Sequence, residues 1–305
     1  MHTVNEAKIK KTLKAAINAG SRILLKSYKK NDFKVELKSA KEWVTGTDVA
    51  VEKIIITEIL KFYPESNFLA EESGTNIKNK ENITWIIDPI DGTNNFITRY
   101  PYFCISIAGY LNDNIISGAI FNPLTSEFFF AIRNKGAYLN EKGIYVNSES
   151  KLSNSIFGTG FVMSAPGSVT KNLKNLKNVI SNTKSFRRTG SAALDLAYTS
   201  CGRQQGYWQL LARPWDYAAG VLLVEEAGGK VTDIQGKKIT LNSKALLATN
   251  KKKQAKMLKN LNEELLYIYL RNLSFSSFVI SGVMLWIGFD SIEPVLVTLL
   301  EILGK

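Results

Sequence analysis

The segment Trp85-Ile86-Ile87-Asp88-Pro89-Ile90-Asp91-Gly92-Thr93-Asn94-Asn95-Phe96 sets two carboxylates three positions apart behind a short apolar run. A buried strand would deliver Asp88 at its end. Pro89 stiffens the exit, and Asp91 projects from the turn that follows, so the two acids converge. Gly92 and Thr93 then offer backbone N–H groups at a helix start, where unpaired donors and the helix dipole favour an incoming phosphate. A second acidic site is Ala70-Glu71-Glu72-Ser73, again where an apolar run stops, and a third is Arg213-Pro214-Trp215-Asp216-Tyr217-Ala218-Ala219-Gly220. Taken singly, the paired glutamates read as surface charge and Asp216 as a helix N-cap. Taken together, they put four carboxylates at strand ends or helix starts. The chain has one histidine, His2, and two distant cysteines, Cys104 and Cys201. Oxygen coordination of a hard cation is the chemistry this donor set serves, Mg²⁺ far more readily than zinc.

The elements that must position these groups are legible from periodicity. Residues 5–29 carry Ile9, Leu13, Ala16, Ile17 and Leu24 at helical spacing, and Thr47 to Tyr63 repeats the pattern with Thr47 or Asp48 as its cap. Ser66 to Ala70 and Trp85 to Ile87 are short strands, the second ending at Asp88. Phe103 to Leu111, Ile115 to Phe121 and Glu127 to Ile132 are β-rich runs divided by Asn, Asp, Gly and Pro, which predicts an antiparallel meander. Beyond about Lys151 helices at 169–181, 192–201, 215–226 and 251–270 alternate with strands near Phe186, Tyr207, Val231 and Leu246. The small residues after Asp216 require that helix to pack closely against a neighbour.

With 305 residues, 45% of them apolar and 22% charged, the chain is long enough for two domains or one large composite core and is not a disordered or collagen-like polymer. The cysteine spacing supports neither a disulfide scaffold nor a zinc ribbon, and a reducing, cytoplasmic setting fits it. The scarcity of histidine argues against His-based triads and His-ligated zinc. A net charge of +12 arises from 39 basic and 27 acidic residues, and the excess is mostly lysine, spread along the chain rather than gathered beside aromatic residues. That is a solvated lysine surface more than a nucleic-acid face. The opening residues lack the apolar run of a secretory signal. Residues 272–289 form an 18-residue run without charge, and a second apolar stretch covers 294–303. Eighteen residues is the lower edge of a spanning helix, so a membrane contact through 272–303 and a docked hydrophobic helical hairpin both stay open.

The chain resembles the inositol monophosphatase family of Mg²⁺-dependent, lithium-sensitive phosphatases. The likeness rests on Trp85 to Phe96, on Glu71-Glu72-Ser73 after a strand, and on Trp215-Asp216 through Glu226-Ala227-Gly228-Gly229; Arg187 to Tyr198 is similar to the bacterial branch. It covers roughly residues 5–262. The resemblance implies an α/β (α+β) fold, a layered α-β-α-β-α sandwich of the inositol monophosphatase and fructose-1,6-bisphosphatase type. The expected organisation is an N-terminal half, 1–145, with the metal site, a second half, 146–264, that completes it, and a hydrophobic tail, 265–305, outside the match. It also implies Glu71, Asp88, the Ile90 carbonyl, Asp91 and Asp216 as Mg²⁺ ligands, with Glu71 and Thr93 acting on the attacking water and Asp48 supporting Thr93. The implied reaction is direct attack of metal-activated water on phosphorus, without a phosphoenzyme.

Substrate contacts implied by the resemblance are Asp91, Gly92, Thr93, the turn Gly190-Ser191-Ala192, position 209 and Asp216. Two residues depart from the family pattern. Gln209 stands where an acid is usual, and glutamine can donate as well as accept, so selectivity for myo-inositol monophosphate is weakened. Ala70 replaces a glycine. A small polyol or sugar phosphate is the expected substrate class, with fructose 1,6-bisphosphate and histidinol phosphate open. Relatives are commonly dimers, and some bacterial ones work in ribosomal RNA antitermination, which makes a regulator bound to the transcription complex the alternative reading.

Overall fold

The computed structural model describes residues 5–31, 33–39, 42–162 and 168–261. Met1–Leu261 forms one compact unit. In chain order its elements begin with α1 (Glu6–Lys30), the hairpin β1 (Val35–Ser39) and β2 (Glu42–Thr45), and α2 (Gly46–Phe62). β3 (Asn67–Ala70), β4 (Gly74–Asn76), β5 (Thr84–Asp91), α3 (Thr93–Ile97), β6 (Cys104–Leu111), β7 (Asn114–Asn122), β8 (Glu127–Ile132), β9 (Ala137–Leu139) and β10 (Lys142–Ile144) follow. The remainder is β11 (Ile156–Gly160), α4 (Ser168–Asn182), β12 (Ser185–Arg187), α5 (Ala192–Ser200), β13 (Gly206–Leu210), α6 (Pro214–Glu226), β14 (Lys230–Thr232) and β15 (Ala245–Thr249). Residues 254–261 are helical. The predicted helix 251–270 is thus seen only in part, and the runs 272–289 and 294–303 lie outside the described residues. Among the described residues no helix is long and apolar enough to cross a membrane.

Eight strands in the order β10-β9-β8-β7-β6-β5-β3-β4 make one sheet, and five in the order β12-β11-β13-β15-β14 make another. Alternation along β5 and β6 sorts their side chains between two cores. Trp85, Ile87, Ile105 and Ile107 face α1 and α2, packing with Ile9, Leu13, Val51 and Ile55. Ile86, Cys104 and Ala108 face the opposite way, into a core shared with α5, α6, Tyr207 and Leu246. A third core, Phe157, Val179, Trp208, Leu247 and Met257, joins the smaller sheet to α4 and to residues 254–261. Helix pair, sheet, helix pair, sheet and helix pair therefore stack as the expected α-β-α-β-α layers. The close packing required of the helix after Asp216 is present. A Cβ on Gly220 would come within 2.4 Å of Leu196 Cβ in α5, and one on Gly118 within 2.8 Å of the Ala219 carbonyl oxygen.

Two local expectations are corrected. Strand β5 does not stop at Asp88 but runs to Asp91, and the cap of α2 is Thr45 rather than Thr47 or Asp48. Asp48 instead occupies the third helical position and completes a capping box, its carboxylate accepting from the Thr45 N–H at 2.8 Å. The β1–β2 hairpin has no counterpart in the periodicity reading: Val35 and Leu37 alternate with Glu36 and Lys38, but the run is short and both apolar side chains are exposed.

Candidate active site

The continuation of β5 explains how Asp88 and Asp91 come to share a face. Residues three apart in a regular strand point to opposite sides. Here Asp88 pairs with Ser106 and Asp91 with Cys104, so three steps on β5 match two on β6 and the register shifts between them. This bulge, at Pro89-Ile90, turns both aspartates toward the α5 and α6 layer. Pro89 fits there because a bulge releases a ladder N–H. Gly92 then leaves the strand at φ 98°, where a Cβ would stand 3.0 Å from the Tyr102 carbonyl oxygen, and starts α3.

The smaller sheet and its helices supply the opposing wall. Ser191 caps α5 by accepting from Leu194 N, and its hydroxyl donates to Asp91 Oδ2 at 2.5 Å. Ala193 N donates to the same oxygen at 2.6 Å, and Asp91 lines the cavity. Asp216, at the third position of α6, accepts from Arg213 N at 2.8 Å, and Ser106 beside Asp88 donates to the Trp215 carbonyl at 3.4 Å. Glu71 leaves the end of β3, its N–H bonded to the Ile87 carbonyl.

These elements enclose a cavity of about 230 Å³. Glu71, Asp91, Gly92, Thr93, Gly190, Ser191, Ala192, Gln209 and Asp216 all line it. Asp88, Ile90 and Asp48 do not; they lie behind the wall, at 2%, 1% and 1% exposure. Thr93 connects the layers, its Oγ1 lying 3.0 Å from the Ile90 carbonyl and 3.3 Å from Asp48 Oδ1. Arg188, Asp195, Tyr207 and Arg213 also line the cavity and were not singled out as site residues from the sequence. Arg188 and Asp195 lie within the segment Arg187 to Tyr198; what was missing was the direction of each side chain.

Burial dominates the electrostatics. It raises Asp88 well above the ordinary carboxylate value, and Glu71, Asp91 and Asp216 push it further by repulsion. Burial lifts Asp91 to about 6 against the opposing hydrogen bonds from Ser191 and Ala193. Asp216 rises to about 8, through burial and then repulsion from Asp91 and Glu71, with the Arg213 N–H opposing. Asp48 reaches about 6 and Asp195 about 7 for the same first reason. Among the described residues no three acid, thiol or imidazole side chains are gathered as a finished metal cage. The link between these acids is electrostatic. Carboxylates that raise one another's pKa are what a bound cation would relieve, and an all-oxygen donor set matches a hard one.

A positioning residue absent from the sequence reading is Glu52, 3% exposed, on α2 one turn after Asp48. Its two carboxylate oxygens accept from Glu72 N and Ser73 N, both at 2.8 Å, and so pin the loop that begins at Glu71. The signal available was the four-residue spacing of Asp48 and Glu52, which puts both on one helix face. Glu52→Ala is expected to lower metal-dependent turnover by about tenfold to a hundredfold, and Glu52→Gln by less, since the amide keeps one acceptor. Titrating Mg²⁺ against activity in both variants checks this; unchanged Mg²⁺ dependence in the alanine variant would count against the role.

Comparison with known proteins agrees with this geometry. The profile described as "Inositol monophosphatase family" matches residues 5–266. The Nus factor SuhB of Escherichia coli (strain K12) is 37% identical over 254 residues, covering 83% of this chain and 95% of that protein. Among solved structures, extragenic suppressor protein suhB from Bartonella henselae superposes with a TM-score of 0.80 at 36% identity, covering 83% of this chain and 98% of that one. Inositol monophosphatase from Anabaena (Nostoc) sp. PCC 7120 does so with a TM-score of 0.76 at 33% identity, covering 85% and 97%.

Proposed function

Because the chain belongs to the inositol monophosphatase family, we propose that it is a Mg²⁺-dependent phosphomonoesterase acting on myo-inositol monophosphate or a similar small polyol or sugar phosphate. The observation that carries this reading is the set of mutually repelling acids Asp88, Asp91, Asp216 and Glu71, the last three lining one cavity and Asp88 buried behind its wall. Glu71, Asp88, the Ile90 carbonyl, Asp91 and Asp216 are the groups that would hold the metal. When bound, Mg²⁺ supplies positive charge to the phosphoryl oxygens and acidifies water.

The chain's own residues do the rest. Thr93 Oγ1 gives its single proton to the Ile90 carbonyl or to Asp48 Oδ1, so its lone pairs can accept from a water on the cavity side. Asp48, ionised above about pH 6, is the acceptor to which Thr93 can pass that proton. The N–H groups of the first turn of α3 have no intrahelical acceptor and are donors for phosphate oxygens. Ser191 and Ala193 hold Asp91 Oδ2, fixing the orientation of the carboxylate.

The test is phosphate release from a panel of phosphomonoesters with Mg²⁺, with and without Li⁺. Mg²⁺-dependent release, suppressed by Li⁺, is the expected result; no release from any ester would overturn the reading. A second reading is favoured by the relatives named Nus factor SuhB: a protein that works within a transcription complex. Copurification with transcription factors that persists after Asp216→Asn, in a protein without ester turnover, would select it.

A further inference from the structure

Asn95 sits in α3 two residues after Thr93 and lines the cavity. Its Nδ2 donates to the Tyr102 carbonyl at 2.6 Å and to the Thr189 carbonyl at 2.9 Å, which uses both protons of the amide. Tyr102 belongs to the segment between α3 and β6, and Thr189 to the turn between β12 and α5. One side chain therefore ties the half of the molecule that carries β5 to the half that supplies the opposing wall. The same two segments meet again at Asp195 of α5, which is 1% exposed. Thr189 Oγ1 donates to its Oδ2 at 2.5 Å and Tyr102 Oη to its Oδ1 at 3.2 Å. Asn95, Thr189, Asp195 and Tyr102 thus close a ring of hydrogen bonds.

This ring adjoins the residues that face substrate. Gly190 follows Thr189 at φ 96°, and a Cβ there would lie 2.9 Å from Asn95 Nδ2 and 3.0 Å from its Oδ1, so the turn rests directly on the amide. Ser191 comes next and donates to Asp91 Oδ2. On the other side, the Tyr102 carbonyl that Asn95 binds is the group against which Gly92 packs. Both partners of Asn95 are carbonyl oxygens, so the joint needs two protons on a short side chain. Asparagine supplies them, serine supplies one, and ionised aspartate of the same shape would set lone pairs against lone pairs. Ser191 and Ala193 already hold Asp91 itself. What Asn95 adds is the position of the Gly190-Ser191-Ala192 turn relative to Thr93.

We infer that Asn95 is a positioning residue that fixes the width of the cavity between Thr93 and the Gly190-Ser191-Ala192 turn, and so governs how the leaving group of an ester is held, with the metal ligands left as they are. This rests on the phosphomonoesterase reading above and adds a residue to it. Asn95 acts through the Thr189 carbonyl, and the ring through Asp195 keeps that carbonyl in place.

The experiment compares the full chain with Asn95→Ala and Asn95→Asp. The probes are myo-inositol 1-phosphate for turnover, its methylenephosphonate analogue for binding without hydrolysis, and inorganic phosphate as a ligand too small to reach the turn. Calorimetric affinities in Mg²⁺, kcat/KM, and the Mg²⁺ concentration for half-maximal turnover are measured. Asn95→Ala should lower kcat/KM and analogue affinity by about tenfold to a hundredfold, the scale of a displaced reacting group, while phosphate affinity and Mg²⁺ half-saturation move by less than about threefold. Asn95→Asp should lose at least as much. Should Asn95→Ala fail to fold, Asn95→Ser, with one donor left, carries the same comparison. Equal weakening of analogue and phosphate in folded variants, or an Asn95→Asp variant indistinguishable from the parent, would overturn the inference, as would a parent that binds neither ligand. A parent that binds the analogue but hydrolyses no ester would remove the phosphatase reading alone, and the ratio of the two affinities would still decide the role of Asn95.

Discussion

Asp216→Asn is expected to lower Mg²⁺-dependent phosphate release by about a hundredfold to a thousandfold, the scale of losing one preorganised electrostatic group at a reacting centre. The fold should survive. Asparagine retains a carbonyl oxygen for the Arg213 N–H, so the first turn of α6 keeps its cap. Stability should move the other way from activity. In the folded chain burial and the neighbouring acids hold Asp216 near a pKa of about 8, so at neutral pH it stays largely protonated there while the unfolded chain ionises it, and that difference counts against folding. The neutral amide removes the penalty, and the chelator-treated variant should melt above the chelator-treated parent, by on the order of 1–3 kcal/mol after allowing for the solvent contact Asp216 retains. Phosphate-release assays and thermal melts in chelator read the two effects separately. Undiminished turnover with a normal circular dichroism spectrum would sink the catalytic assignment, and a lower melting temperature would sink the electrostatic one.

The second large effect is a dependence of stability on pH and metal. Asp48 and Asp91 are raised to about 6, Asp195 to about 7 and Asp216 to about 8. The unfolded chain releases these protons near pH 4, whereas the folded chain holds them longer, so the native state binds more protons across the interval between. Stability therefore falls as pH rises from about 4 to about 8. This is the reverse of an ion-paired carboxylate such as Glu141, held at about 2 by Lys10 and Lys14, whose contribution is present above its unfolded pKa of 4.5 and lost as pH falls through 2. In chelator, the melting temperature should decline between about pH 5 and pH 8. Added Mg²⁺ should restore it most at the alkaline end, where the acids are ionised and ready to bind a cation. Parallel melting curves with and without Mg²⁺ across that range, or a rise in the chelated protein, would contradict the account.

Both effects depend on which parts of this molecule were written in local sequence. The helices and most strands were, because burial imposes a period of 3.6 or 2 on apolar residues: α1, α2, α5 and α6 begin within a residue or so of their expected positions. The β1–β2 hairpin was not, since the alternation of Val35 and Leu37 with Glu36 and Lys38 spans only two apolar residues, and both face solvent rather than a core. The identity of the acids was also legible. Asp88, Asp91, Glu71 and Asp216 stand where apolar runs stop or helices start, and although each alone has a structural reading, the four together with no other ligand type present do not. Glu52 shows the limit: its type and helix face were visible, but nothing local revealed that its two oxygens reach the loop after β3.

What the linear order of residues determined by itself is the chemistry available: oxygen ligands, no imidazole beyond His2, a Thr93 beside a possible anion cradle, and a glutamine in place of an acid at 209. Tertiary structure decided how that chemistry is aimed. The bulge in β5 turns Asp88 and Asp91 to one face, the Ser191 and Ala193 bonds orient Asp91, and the Tyr207 hydroxyl holds Gln209 Oε1. Each of these is a direction rather than a residue type. Directions are set by hydrogen bonds between segments as much as a hundred residues apart, as Ser191 and Asp91 are, and no local pattern records which distant donor will arrive.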